Sequence, residues 1–99
     1  MSQIYIRDVG AHGGEDITIK GWLYHRRSSG RLRFLVMRDG TGLIQATVFK
    51  GDVPEAVFEQ SDHMPLESSL IVHGTVRAEQ RAPGGYELSV RDLELVQAA

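Results

Sequence analysis

Five arginines, Arg26, Arg27, Arg31, Arg33 and Arg38, fall within the thirteen residues from 26 to 38, and Phe34 stands among them. A guanidinium is a flat, forked donor that grips phosphate oxygens and stacks on planar rings. An exposed phenylalanine ring is a surface on which a planar base can lie. Arginine makes up nine of the eleven basic residues, with Lys20 and Lys50 as the exceptions. Two readings of the cluster stand side by side: a phosphate-binding turn, or a solvated surface in a chain whose coding background favours arginine.

Other chemistry is harder to assemble. Cysteine is absent, so thiolate metal sites and disulfides are excluded. His12, His25, His63 and His73 are scattered without metal-ligand spacing, and Ser28, Ser29, Ser68 and Ser69 have no histidine placed to activate them. There is no P-loop, no G-x-G-x-x-G and no H-E-x-x-H. The pattern therefore predicts no catalytic residues, no metal site and no cofactor held by this chain. A net charge of −2 argues against a protein that coats DNA by bulk electrostatics. Its distribution is uneven, because Asp52, Glu55, Glu59, Asp62 and Glu67 gather after the basic stretch. One basic and one acidic side are expected. No apolar run reaches the roughly 18 residues of a membrane span, and no signal-peptide pattern opens the chain, so a cytoplasmic protein is expected.

Ninety-nine residues are enough for a single domain, 1–99, with one core. Runs rich in β-branched and aromatic residues alternate with turn signals. The pattern predicts strands over 17–27, 31–38, 43–49, 70–79 and 86–96. The second and third are joined by Asp39-Gly40-Thr41-Gly42, a hairpin signal. A short helix is expected over 55–62, with Asp52 or Val53 as its cap and Pro54 at its start. Residues 1–15 read as a lid or turn that packs Ile4, Tyr5, Ile6 and Val9 on the end of the sheet. Three strands, a helix and two strands make an all-β chain in the order of a five-stranded OB-fold barrel, with its helix between the third and fourth strands.

Alternation along the strands assigns faces. Ile17, Ile19, Leu23, Leu35, Met37, Ile44, Ala46, Val48, Leu88 and Val90 read as core, with Gly21 permitting a bend. Trp22 and Tyr24 point the other way and are expected to lie under the N-terminal segment. The second strand is apolar on both sides, since Leu32, Phe34 and Val36 oppose its core face. Either Phe34 is plain core, with the phase shifted by one residue, or the outer face has a use. The outward set then comprises Arg27, Phe34, Gln45 and Arg77, with Glu87 or Ser89. A ring for stacking, an amide that both donates and accepts, and arginines for phosphates form a platform for single-stranded nucleic acid.

The segment ITIKGWLYHRRSSGRLRFLVMRDGTGLIQATVF resembles the N-terminal anticodon-binding OB domain of the class IIb aminoacyl-tRNA synthetases. The resemblance rests on the Gly21-Trp22 pair, Arg26-Arg27, the F-L-x-x-R-D-G-T-G run from Phe34 to Gly42 and the Ile44-Gln45 pair. VHGTVRAEQRAPGGYELSV is similar to that domain's fourth strand, loop and fifth strand. The D-G-T-G turn is most like the asparaginyl branch. The resemblance implies that Phe34 stacks on the middle anticodon base, a uridine, that Gln45 reads its edge and that Arg27 contacts the same region. Arg26, Arg31 and Arg77 would position the backbone, while Glu87 and Ser89 would help distinguish the third base. Where the aspartyl branch has G-E-x-E, alignment on Glu87 puts Ser89 at the second glutamate. The implied partner is a tRNA anticodon loop, above all that of tRNA(Asn). Full-length relatives are homodimers that use ATP and Mg, and their catalytic domain is missing here. Two other uses of the same surface remain open: a sequence-tolerant single-strand binder, or a protein-interaction or oligomerisation module built on Leu32 and Val36.

Overall fold

The computed structural model describes residues 2–99, so the Met1 of the expected N-terminal lid lies outside the described residues. The strands are β1 (Ser2–Gln3), β2 (Asp16–Ser29), β3 (Leu32–Arg38), β4 (Leu43–Phe49), β5 (Ser69–Ala78) and β6 (Tyr86–Gln97). Helix α1 (Glu55–Ser61) lies between β4 and β5, and a 3-10 segment, Ile6–His12, lies between β1 and β2. The expected strands are all present, with ends that move by one or two residues.

The fourteen-residue β2 organises the sheet because it serves two partners. Its first half, from Asp16 to Trp22, pairs antiparallel with β5, and its second half, from Trp22 to Ser29, pairs antiparallel with β3. The remaining pairings are β3 with β4, β4 with β6 in parallel, and β6 with β5, so the ladder returns to β2. Gly21 sits where β2 passes from one partner to the other. A Cβ there would lie 2.3 Å from the Arg38 carbonyl oxygen, so the residue is required by backbone approach.

The inner faces form one apolar core. Ile19, Leu23, Leu35, Met37, Ala46, Val48, Val72 and Leu88 have no measurable exposure. Ile6 and Val9 from the N-terminal segment and Val57 and Phe58 from α1 complete it. Phe34 is not among these residues, which settles the strand phase in favour of an outer Phe34. α1 differs from expectation at its start. Pro54 occupies the cap position, and neither Asp52 nor Val53 caps it, because no side chain there bonds the first helical amides.

Asp39 does more than shape its turn. Its carboxylate accepts hydrogen bonds from the Thr41 amide at 2.8 Å and the Thr41 hydroxyl at 2.6 Å. The other oxygen accepts the Ile6 amide at 2.8 Å, which ties the N-terminal segment to the β3–β4 hairpin. Burial alone would raise this carboxyl, but the bonds from Thr41, Ile6 and Gly42 outweigh it and hold the group below the ordinary 3.8. The N-terminal segment covers less than expected, since Tyr5 is 52 %, Trp22 41 % and Tyr24 51 % exposed. The Arg38 guanidinium lies 5.2 Å from the Trp22 ring centre and pairs with Glu67.

Candidate nucleic-acid interface

Register across the sheet decides which outward side chains meet. The expected outward Arg27 does not follow from alternation, which, unbroken from Ile17, Ile19 and Leu23, turns it inward. A bulge between Leu23 and His25 inserts one residue, Tyr24, and reverses the parity of the rest of β2. Beyond it, Arg27 stands opposite Phe34 and Arg26 opposite Leu35. Phe34 in turn faces Thr47, and Val36 faces Gln45. The parallel β4–β6 pairing adds Glu87 beside Gln45 and Ser89 beside Thr47, and β5 supplies Arg77 opposite Glu87. Residues distant in sequence thus form two adjoining rows on one outer face.

These rows floor an open groove of about 540 Å³ that also takes in Leu32, Phe49 and Arg81. The volume is in the range of clefts that hold small ligands, about 300–1,000 Å³. The Arg27 guanidinium lies over the Phe34 ring, 4.0 Å from its centre. Glu87 is only 4 % exposed although it lies on the outer face. One of its oxygens accepts from Gln45 Nε2 and from Thr47 Oγ1, both at 3.1 Å, and the other pairs with the Arg77 guanidinium. Three strands therefore converge on one carboxylate. The expected outward, ligand-facing glutamate is instead covered by its neighbours, because a carboxylate so placed must be paired to be buried.

The five clustered arginines do not act together. Only Arg27 faces the groove. Arg26 points to the other side of β2, where its guanidinium donates to the Met64 carbonyl. Arg33 pairs with Asp62 at 3.1 Å and stacks on Phe58, 4.3 Å from the ring centre. Arg38 is engaged with Glu67 and Trp22. Arg31 is exposed at the β2–β3 turn, outside the residues that line the groove. Four of the five thus belong to packing, ion pairs or the turn: alternation sends Arg26 and Arg33 to the face opposite Phe34, and Arg38 lies at the far end of β3, beside Trp22.

Of the expected site residues, the structure brings together Arg27, Phe34, Gln45, Arg77, Glu87 and Ser89, and leaves Arg26 and Arg31 outside. Thr47, Phe49 and Arg81 were not singled out by the sequence pattern. Thr47 and Phe49 share the parity of Gln45, which was a usable signal; Arg81 enters from the β5–β6 loop, where strand parity does not apply and only the family resemblance pointed. Among the described residues, no three His, Asp or Glu side chains gather as a metal would require. No helix among them is long and apolar enough to cross a membrane.

A ladder that returns to its first long strand, with an open groove across β2 to β6, defines a class. Residues 17–96 match the model of the OB-fold nucleic acid binding domain, and the chain belongs to that family. Within it, the chain is similar to asparagine–tRNA ligases. That of Thermus thermophilus is 52 % identical over 94 residues, which are 95 % of this chain and 22 % of the ligase. That of Koribacter versatilis is 54 % identical over 92 residues, 93 % of this chain and 21 % of the ligase. The crystal structure of asparaginyl-tRNA synthetase from Pyrococcus horikoshii, complexed with asparaginyl-adenylate, superposes with a TM-score of 0.91 at 41 % identity. It covers 97 % of this chain and 22 % of that one. The chain spans about a fifth of the length of these relatives and corresponds to their OB domain.

Proposed function

We propose that this domain binds the anticodon loop of tRNA(Asn) and reads its central uridine. One observation carries the reading: Arg27, Phe34, Gln45 and Arg77, from four strands, line the same groove. In this reading a pyrimidine enters over Phe34, and stacking contributes about 1–3 kcal/mol. Arg27 is the exposed member of its pair with Phe34, so its guanidinium can leave the ring for a phosphate when a base takes its place. Gln45 offers an amide to the base edge, where hydrogen bonds select among bases. Arg77 and Arg81 hold the backbone as it crosses β5 and its loop.

The mechanism is recognition without bond making. Strands β2 to β6, closed as a barrel, serve as the frame, the domain itself takes no cofactor, and ATP and Mg belong to the rest of a ligase. A cytoplasmic location goes with this role. The test is a titration at low salt against an anticodon stem-loop carrying GUU and against the same loop with its middle uridine changed to cytidine. Preference for the uridine loop is expected. Equal binding to both would replace anticodon reading by a sequence-tolerant single-strand platform, and binding to neither would overturn the nucleic-acid assignment.

A further inference from the structure

We infer that Glu87 is a positioning residue that sets which pyrimidine Gln45 reads, by fixing the orientation of the Gln45 amide. The inference rests on the groove's being a pyrimidine-reading site and adds the element that gives it a sign.

A glutamine amide is ambiguous by itself, because its two ends exchange donor for acceptor on a half-turn. The two pyrimidines differ in the same way. At ring positions 4 and 3, uridine presents an acceptor and then a donor, whereas cytidine presents a donor and then an acceptor. For a base held in one place on Phe34, turning the amide over therefore exchanges a fit to uridine for a fit to cytidine. Something must hold the amide one way up.

Glu87 is placed to do so. Its buried carboxylate accepts only, so the end of Gln45 nearest it must be the NH2, and Nε2 donates to it at 3.1 Å. The Gln45 carbonyl oxygen is thereby held on the other side, with the second Nε2 hydrogen left beside it for a base edge. The carboxylate is itself locked. Arg77, a pure donor, engages one oxygen, and Thr47 shares the other with Gln45. Arg77 and Gln45 thus both donate and Glu87 only accepts, so the hydrogen bonds run inward to the carboxylate from either side.

This directionality makes Glu87→Gln a sharp perturbation of nearly unchanged shape. Arg77 will still demand an acceptor and draw the new carbonyl to its own side. The new NH2 then faces Gln45, which must turn over to present its oxygen. The experiment measures affinities of wild type, E87Q and the double variant R77L/E87Q for the uridine and cytidine stem-loops. Thermal unfolding verifies each fold.

In wild type, a uridine preference of about tenfold or more is expected from a two-point amide contact. In E87Q it should fall below about twofold or reverse. In R77L/E87Q, with the donor gone, the new amide is free to offer its oxygen to Gln45, and uridine preference should return although both affinities drop. A role confined to stability would lower both affinities together and leave their ratio alone. Uridine preference retained in a folded E87Q overturns the inference while leaving anticodon reading intact; absence of preference in wild type overturns both. If E87Q does not fold, wild-type NMR decides: a coupling from a Gln45 side-chain amide proton to the Glu87 carboxylate carbon supports the inference, and its absence overturns it.

Discussion

Phe34→Ala separates the binding platform from the core. The ring lies outside the core cluster, half-buried on the outer face, with the Arg27 guanidinium 4.0 Å from its centre. Truncation removes one partly exposed cation–π contact, worth about 0.5–1 kcal/mol, and leaves no enclosed cavity. The expected loss of stability is about 1 kcal/mol, or about 4–8 °C in Tm for a domain of this size. Phe58 provides the contrast. It is 5 % exposed within the core cluster, so Phe58→Ala should cost about 3–5 kcal/mol. Binding should respond in the opposite order. Loss of the stacking surface should weaken affinity by about 1–3 kcal/mol, or roughly 5- to 150-fold in Kd. Thermal unfolding of both variants, with fluorescence titration of a labelled GUU stem-loop on folded F34A, reads both quantities. A Tm loss for F34A as large as that for F58A would refute an outer Phe34. An unchanged Kd would refute the platform.

The same geometry sets four further outcomes. Arg27→Met should weaken loop binding and cost up to about 1 kcal/mol of stability through the contact it shares with Phe34, whereas Arg26→Met should lose about 1–2 kcal/mol through the Met64 carbonyl contact and leave binding nearly unchanged; paired melts and titrations check both. Gly74→Ala should destabilise by at least about 2 kcal/mol in urea unfolding, because its Cβ would lie 2.4 Å from the Ser89 carbonyl oxygen. The folded pKa of Asp39 lies below its ordinary 3.8, so the unfolded chain binds the proton first and stability rises with pH across that window. The contribution is complete above the ordinary value and is lost as pH falls through the folded one; urea midpoints of Asp39→Asn and wild type should therefore differ at neutral pH and converge in acid. With Arg27, Arg77 and Arg81 as the groove's cations, loop affinity should fall with salt at a log–log slope no steeper than about −2, and a slope near zero would point to apolar association instead.

The elements were legible because their signals are local. Alternating β-branched residues mark strands, and Asp39-Gly40-Thr41-Gly42 marks a hairpin without reference to anything distant. The outward placement of Phe34, Gln45 and Arg77 comes from short runs of simple parity, and the structure brings all three to one groove. The arginine cluster shows where local reading stops. Charge density along a chain says nothing about faces, and strand geometry sends Arg26 and Arg33 to the side where Met64, Phe58 and Asp62 receive them. Trp22 likewise carries an aromatic signal that parity alone could not connect to Arg38.

By itself, the sequence determined a small all-β domain of OB order, its apolar inner faces, and an outer row holding a ring and an amide. Tertiary structure decided what that row means. The bulge at Tyr24 turned Arg27 onto the face of Phe34, a reversal invisible to alternation because one inserted residue exchanges the two sides of a strand. The parallel β4–β6 pairing brought Glu87 beside Gln45 across 42 residues of chain and converted an outward glutamate into a buried, fully engaged one. Such pairings depend on how the ladder closes through β2 and β5, and no local pattern encodes closure.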